Sequence, residues 1–504
     1  MDVTTLPKDV QEYISTIEQS WQERYSALEE QYKLLLIQKF CRKSEKSDTD
    51  QSQQLLFNEE EHIAAVEEQN ETIHSYSRKK RGRKPIDDSL PREDVIIDIP
   101  EEDKHCACGH DLVRIGEETS ERLQVILPKM WVERIIRIKY ACKHCEGSGD
   151  EDKPAVRIAD PPASIIPKSI VTPGLLAFII TNKFIDHLPY YRQEKRFERI
   201  GIHISRQNMS NWQQAAYEKI SPLIELIKEH IRSGPVINMD ETPVQVLNEP
   251  DRKNMQKSYM WLMRGGPSEK PALLYSYRET RGSKHITELL EGFEGYLQTD
   301  GYEAYETALK SNDKVIHVGC MAHARRKFDE AAKVSKKPGS AQEALKFIRR
   351  LYQIEAELRV QNLDADEFLK MRKEKAQSTL NDFKAWLEKR AMQVPPSLLL
   401  GKAISYTLNE WSELIRYLDS PYLTPDNNAS ENAIRPFVLG RKNWLFSGSP
   451  SGAESSCAMY SLIETAKQNG RNPNDYLLSV FEKAPLVKSS EEWKNLLPWN
   501  MKNA

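Results

Sequence analysis

Hydrophobic positions recur with two different periods along this chain, and the change of period divides it. Between residues 8 and 45, Ile14, Trp21, Leu28 and Leu35 recur every seven residues, with Tyr25 and Tyr32 four after Trp21 and Leu28. A seven-residue repeat on a helix makes a narrow apolar seam, so residues 1–48 are read as a short coiled-coil helix. The plain alternative is an amphipathic helix packed on its own chain. Residues 49–97 lack any period and form a linker. In 98–148 the pattern alternates, as in Leu123-Gln-Val-Ile-Leu127 and Val132-Glu-Arg-Ile-Ile-Arg-Ile138, which predicts strands. Residues 160–233 return to helical spacing.

From 234 the alternation resumes. Strands are expected at Val236–Asp240 and onward to Val246, at Tyr259–Met263 and at Ala272–Tyr277. A helix is expected at Ser283–Glu291, a strand ending in Asp300, a helix at Glu303–Lys310 and a strand at Val315–Gly319. Three strands followed by helix, strand, helix and strand is the order of a ribonuclease H-like sheet. Residues 338–420 are rich in Glu, Lys, Leu and Arg at helical spacing and read as a helical insertion in that sheet. The predicted fold class is therefore multidomain α+β and α/β: a ribonuclease H-like catalytic core over 234–470 with a helical insertion, and a C-terminal element over 471–504. The core is preceded by a coiled-coil helix, a zinc ribbon-like module and a helix-turn-helix region.

Composition narrows the setting. A chain of 504 residues suits about three domains at about 150 residues each. No apolar run reaches the length of roughly 18 residues that a membrane span needs, and the N-terminus lacks a basic start leading into an apolar stretch. A cytoplasmic protein with no membrane partner is expected. Seven Cys are too few for a disulfide scaffold. The net charge of −3 neither requires nor excludes nucleic acid, so the placement of charge has to decide.

That placement is uneven. Arg78, Lys79, Lys80, Arg81, Arg83 and Lys84 crowd into one segment with Gly82 and Pro85, which oppose helix. A slim Arg-Gly-Arg segment suits the A·T minor groove, where negative potential is strongest; the alternative is a charged linker. Four Cys stand as two close pairs, Cys106/Cys108 and Cys142/Cys145. Four thiolates around a hairpin suit tetrahedral Zn²⁺ in a structural role, with His105 or His110 as substitutes for Cys106. Thr172 and Pro173 open a helix, a second is expected near Tyr190–Arg199, Ile200-Gly-Ile-His-Ile turns, and Ser205 caps a third helix over 206–214. Helix, tight turn and polar helix match a helix-turn-helix, whose expected recognition face carries Arg206, Gln207, Asn208 and Asn211, donors suited to base edges. An ordinary helical bundle is the bland alternative.

Three acids follow the right elements for phosphodiester chemistry. Asp240 on the first core strand and Asp300 at the end of the fourth would converge, since those strands are neighbours in such a sheet. Converging carboxylates repel unless cations lie between them, which implies Mg²⁺ (or Mn²⁺). The third is Glu431 in Asp426-Asn-Asn-Ala-Ser-Glu431-Asn-Ala-Ile-Arg435-Pro. Asp426 is expected to cap a short helix there and Pro436 to end it, leaving Glu431 and Arg435 on one face. Two such ions suit in-line attack on a phosphodiester without a covalent protein intermediate. Arg435, Arg441, Lys442, Trp444 and Phe446 interleave cations and aromatics and could hold a DNA end; the aromatics could equally form a core strand. Arg325 and Arg326 suit phosphate contact. His317, Cys320 and His323 have metal-like spacing, with packing the preferred reading.

These motifs together resemble the insertion-sequence 66 family of bacterial DDE transposases. The resemblance rests on Gly82-Arg-Lys-Pro85, Cys108-Gly, Cys142 with Cys145, Asp186-His-Leu-Pro189, Tyr191-Arg-Gln193 and Met239-Asp-Glu-Thr-Pro243. It extends through Thr299-Asp-Gly-Tyr302, Ala322-His-Ala-Arg-Arg-Lys-Phe328, Asn427-Asn-Ala-Ser-Glu431, Gly440-Arg-Lys-Asn-Trp444 and Leu496-Leu-Pro-Trp499, and so covers nearly the whole chain. It implies a DNA transposase that binds the terminal inverted repeats of its element, cuts the 3′ ends and joins them to target DNA, with Asp240, Asp300 and Glu431 as the acidic triad. It implies terminal-repeat and target DNA as partners, a homo-oligomer through the coiled coil and on DNA, accessory proteins encoded by the same element, and association with the bacterial nucleoid. The single residue between Cys106 and Cys108 departs from the usual knuckle spacing. Two other classes fit parts of the pattern: a non-catalytic end-binding protein or repressor derived from such an element, and a structure-selective nuclease.

Overall fold

A computed structural model describes residues 7–40, 130–141, 156–310, 312–334 and 339–501. They belong to two compact units, one of residues 1–70 with 163–504 and one of residues 71–162. The basic segment 78–85, the expected strand 123–127 and Cys106, Cys108, Cys142 and Cys145 lie outside the described residues.

In the smaller unit, β1 (Lys139–Ala141) pairs antiparallel with β2 (Val156–Ile158). The strand expected over Val132–Ile138 is not formed; pairing begins only at Lys139. Val132 is 92% exposed and Ile136 is exposed too. Alternation marks a segment able to join a sheet, but a ladder also needs a partner at the right register, and 132–138 have none among the described residues.

The larger unit is built on a mixed sheet within a helical majority. It opens with α1 (Lys8–Phe40), then α2 (Pro173–Phe184), α3 (Tyr190–Glu198) and α4 (Arg206–Arg232). Thr172 accepts from the Leu175 N–H at the start of α2, and Ser205 accepts from Asn208 N–H at the start of α4, as the capping pattern predicts. Gly201, at φ +79°, makes the turn between α3 and α4. The third helix runs far beyond the expected 206–214. Ile220, Leu223, Ile227 and Ile231 are buried and carry it into the core that holds the sheet, so 160–233 is not a free-standing module. Pro222 lies inside this helix; the Glu218 carbonyl, four residues earlier, accepts from Ser221 Oγ at 3.0 Å.

The strands are β3 (Val236–Val246), β4 (Lys257–Gly265), β5 (Ala272–Arg278), β6 (Gly295–Gln298) and β7 (Val315–Val318), in the spatial order β5-β4-β3-β6-β7. The first three form an antiparallel meander, while β6 runs parallel to both β3 and β7. Parallel neighbours need crossovers, here α5 (Ser283–Leu289) and α6 (Glu303–Leu309). After α7 (Met321–Val334) comes a helical block: α8 (Ser340–Arg359), α9 (Ala365–Ala391), α10 (Leu399–Asn409), α11 (Trp411–Ile415) and a 3₁₀ turn at Arg416–Asp419. The block shares one core with the sheet edge: Val318, Met321 and Phe328 pack with Ile348, Phe383, Leu387 and Trp411.

The chain returns through α12 (Asn428–Trp444), a short β8 (Phe446–Ser447) paired with the end of β3, and then α13 (Pro450–Gln468), α14 (Pro473–Lys483) and α15 (Ser490–Lys494). Pro436 does not end α12 as expected. Burial of Ile434, Phe437 and Gly440 on both sides of it, with Phe437 edge-on to Tyr460 at 5.5 Å, holds the helix through the proline. Among the described residues no helix is long and apolar enough to cross a membrane.

Candidate active site

The register of β3 against β6 brings the first two acids together. Asn238 pairs with Gln298, so Asp240 on β3 and Asp300 just past β6 each lie two residues beyond the same rung. Glu431 comes from the first turn of α12. Asp240 Oδ1 accepts from the Glu241 N–H at 2.8 Å, and Asp300 Oδ1 from the Tyr302 N–H at 3.2 Å. Glu431 Oε2 accepts from Arg326 Nη2 at 3.1 Å. Its Oε1 is buried with no hydrogen-bond partner, 3.8 Å from His323 Nδ1, which is likewise unpaired.

Electrostatics sets these groups apart. Burial pushes the Asp240 carboxyl well above the usual carboxylate range, and the charges of Glu241, Glu431 and Asp300 push it further. Asp300 and Glu431 are also raised by burial, opposed by Arg281 and Arg326 respectively. His323 is lowered to about 4 by burial and by Arg326 and Lys327, so its ring is neutral. Gathered carboxyls that resist ionisation, with one buried oxygen orphaned, are a donor set suited to a hard divalent cation.

A second layer escaped the sequence reading. Glu241 is held by Arg281 and by Tyr305 Oη at 2.6 Å, and Arg281 lies 3.9 Å from Asp300 Oδ2 with its guanidinium 3.6 Å over the Tyr302 ring. Adjacency to Asp240 was the available signal for Glu241; Arg281, in a loop after β5, offered none. The Cys320, His323 and Glu431 donor atoms lie within 4.8 Å of one another. His317 is not among them: its Nε2 meets Thr299 Oγ1 at 2.8 Å.

The other sequence-selected residues scatter over three places. Arg206, Gln207, Asn208 and Asn211 are all exposed at the start of α4, with Gln207 Nε2 donating to Asn211 Oδ1 at 2.8 Å. Arg325 and Arg326 lie half-buried on α7, and Arg435 half-buried one turn after Glu431. Arg441 Nη1 donates to Thr242 Oγ1 at 3.0 Å and to the Pro243 carbonyl, strapping α12 to β3, while Lys442 is exposed. Trp444 is half-buried against Phe437, with ring centroids 5.4 Å apart.

Comparison with known proteins gives a consistent picture. Residues 168–455 match the Transposase IS66 family, and residues 103–146 match the zinc-finger binding domain of transposase IS66. Residues 27–95 match a family described as Transposase C of IS166 homeodomain, and residues 461–499 match the IS66 C-terminal element. Among curated relatives, uncharacterized protein y4jD of Sinorhizobium fredii (strain NBRC 101917 / NGR234) is 35% identical over 427 residues, covering 82% of this chain and 81% of the relative. Uncharacterized protein y4hP of the same organism is 30% identical, covering 87% of this chain and 80% of the relative.

Proposed function

The chain belongs to the IS66 transposase family, and on that premise we propose that it binds the terminal inverted repeats of its element, cuts their 3′ ends and joins them to target DNA. We read the order β5-β4-β3-β6-β7 as a ribonuclease H-like core interrupted by the helical block. The observation that carries the reading is the meeting of Asp240, Asp300 and Glu431, from two neighbouring parallel strands and one helix, with a buried carboxylate oxygen left over. These three would hold Mg²⁺ or Mn²⁺, which supplies an activated oxygen nucleophile and charge neutralisation at the leaving oxygen. The protein's own groups do the rest. Arg435, Arg325 and Lys442 receive phosphates around the acids, and Arg441 and Trp444 brace that face of α12. Arg206, Gln207, Asn208 and Asn211 meet base edges, and the segment Arg78–Lys84 enters a groove. Cys106, Cys108, Cys142 and Cys145 hold structural Zn²⁺ in the zinc-finger module. The working site is nucleoid DNA in the cytoplasm, with proteins of the same element as accessory partners.

Self-association belongs to the same reading. Trp21, Tyr25, Leu28, Tyr32 and Leu35 are 61–67% exposed along one face of α1. The opposite face is docked: Glu30 Oε2 accepts from the Leu399 N–H at 2.9 Å, at the start of α10. A parallel pair of seams places Arg24 of one copy beside Glu29 of the other. Sedimentation of the full chain without DNA should show a dimer that Leu28→Glu dissociates; a wild-type monomer at micromolar concentration removes the seam from the reading.

The test of the chemistry is divalent-metal-dependent cleavage and strand transfer on DNA carrying the element's ends, with neighbouring accessory proteins added. Asp240→Ala, Asp300→Ala and Glu431→Ala should each lower joining by about 10³-fold or more. Loss in the two Asp variants alone would replace Glu431 as third acid. End binding without cleavage by wild type would favour a non-catalytic end-binding protein.

A further inference from the structure

Beneath the acids lie three buried side-chain amides, one shortly before each acid in the chain. Asn238 precedes Asp240 by two residues on β3, and Gln298 precedes Asp300 by two at the end of β6. Asn427 precedes Glu431 by one helical turn, its carbonyl accepting from the Glu431 N–H at 3.3 Å. Exposure is 5%, 1% and 2% respectively. Asn238 Nδ2 donates to Gln298 Oε1 at 3.1 Å and to Asn427 Oδ1 at 3.0 Å, while its Oδ1 accepts from Arg264 Nη1 at 3.3 Å. Gln298 Nε2 donates to the Thr424 carbonyl at 2.7 Å, and Asn427 Nδ2 to the Met239 carbonyl at 2.9 Å. Every amide nitrogen and oxygen of the three is thus engaged.

Such an arrangement is costly to hold for packing alone. A buried amide is tolerated when fully paired, and a fully paired network specifies one geometry where apolar side chains of similar volume would accept several. The backbone ladder already fixes β3 against β6. It does nothing for α12, which returns from the helical block far along the chain, and the like charges of the acids push the three elements apart. Asn427 meets both needs: its side chain bonds to the residue before Asp240 and to the amide two residues before Asp240, and its N–H donates to Cys320 Sγ at 3.2 Å.

We propose that Asn238, Gln298 and Asn427 form an amide bridge that sets the separation of the three acids, and so act as positioning residues for divalent-cation binding. The inference deepens the transposase reading and takes its acids from it, but the metal measurement below does not depend on DNA chemistry.

Mn²⁺ binding to Zn²⁺-replete full-length protein, followed by electron paramagnetic resonance without DNA, tests it. Asn427→Ala and Gln298→Met should each weaken Mn²⁺ binding about tenfold or more, the range seen when groups supporting metal ligands are removed. The Mg²⁺ concentration for half-maximal end cleavage should rise in parallel, while end-DNA binding stays within about twofold of wild type. Mn²⁺ affinity equal to wild type in both variants, whatever happens to their melting temperature, overturns the proposal. So does wild-type affinity no better than that of Asp240→Ala. Should Asn427→Ala fail to fold, Gln298→Met decides alone. A wild type that binds Mn²⁺ but neither cuts nor joins ends the transposase chemistry, and the ratio of Mn²⁺ affinities still decides the bridge.

Discussion

In the helical block Arg372 and Glu355 lie buried against each other at 2.6 Å, whereas around Asp240 the buried ionisable groups are mostly acids. Arg372 spends all four Nη hydrogens, on Glu355 Oε1 and on the carbonyls of Tyr417, Ser420 and Leu423, and Arg359 adds a second cation to Glu355 at 2.7 Å. Arg281 serves Glu241 and Asp300 and Arg326 serves Glu431, both from the edges, whereas Asp240 has neither. The first arrangement sets charge against charge and dipole, with only Arg372 Nε and Glu355 Oε2 left without a hydrogen bond, and this fixes a structure. The second leaves negative charge in excess, which is a poor way to stabilise a fold and a good way to attract a cation. The two are joined by the chain: the carbonyls Arg372 holds belong to the segment that leads through Asp426 and Asn427 into α12.

The largest expected effect breaks the matched pair. Arg372→Ala would leave buried Glu355 to the more exposed Arg359 alone and take this donor from the Tyr417 and Leu423 carbonyls, and should cost about 3–5 kcal/mol, read as a lowered midpoint in thermal or denaturant unfolding. Arg372→Met with Glu355→Met removes both charges at similar volume and should recover most of that loss. An Arg372→Ala penalty no bigger than that of the exposed Lys314–Glu294 pair, about 0–1 kcal/mol, would erase the contrast.

The two regions also differ in how far their sequence declares them. The strands of the sheet that holds Asp240 and Asp300 stand out because apolar runs such as Ala272–Tyr275 on β5, buried here, have one evident place in a sheet. The helical block stands out by its period alone. Hidden are the features that depend on what packs against them. Nothing local shows that α12 would pass through Pro436, since a proline forbids one hydrogen bond and the burial of Phe437 outweighs it. The length of α4 past Gln214 depends on the apolar face from Ile220 to Ile231 meeting the core. Val132–Ile138 alternates as a strand should, yet it lacks a partner strand among the described residues. Glu241 and Arg281 meet only because β3 and the loop after β5 are neighbours in space. The amides Asn238, Gln298 and Asn427 read as ordinary polar residues until the register aligns them.

A smaller effect sharpens the other side of the comparison, in protein kept free of Mg²⁺ and Mn²⁺. The folded state holds the Asp240 proton more tightly than the unfolded chain does, because burial and then Glu241, Glu431 and Asp300 raise its affinity. Between the unfolded value of about 3.9 and the raised folded value, the folded protein therefore binds more protons, and stability falls as pH rises through that window. Asp300 and Glu431, raised in the same direction, add to the slope. Asp240→Asn removes the central charge at almost constant volume. The variant should lose part of the decline with pH and, at pH 7, melt about 2 °C or more above wild type. Added Mg²⁺ should then raise the wild-type midpoint, since a ligand of the folded state alone stabilises it, and leave the variant's nearly unmoved. A variant that melts below wild type from pH 5 to pH 8 without divalent cations would mean that Asp240 is matched as Arg372 is, and that the excess of negative charge lies elsewhere.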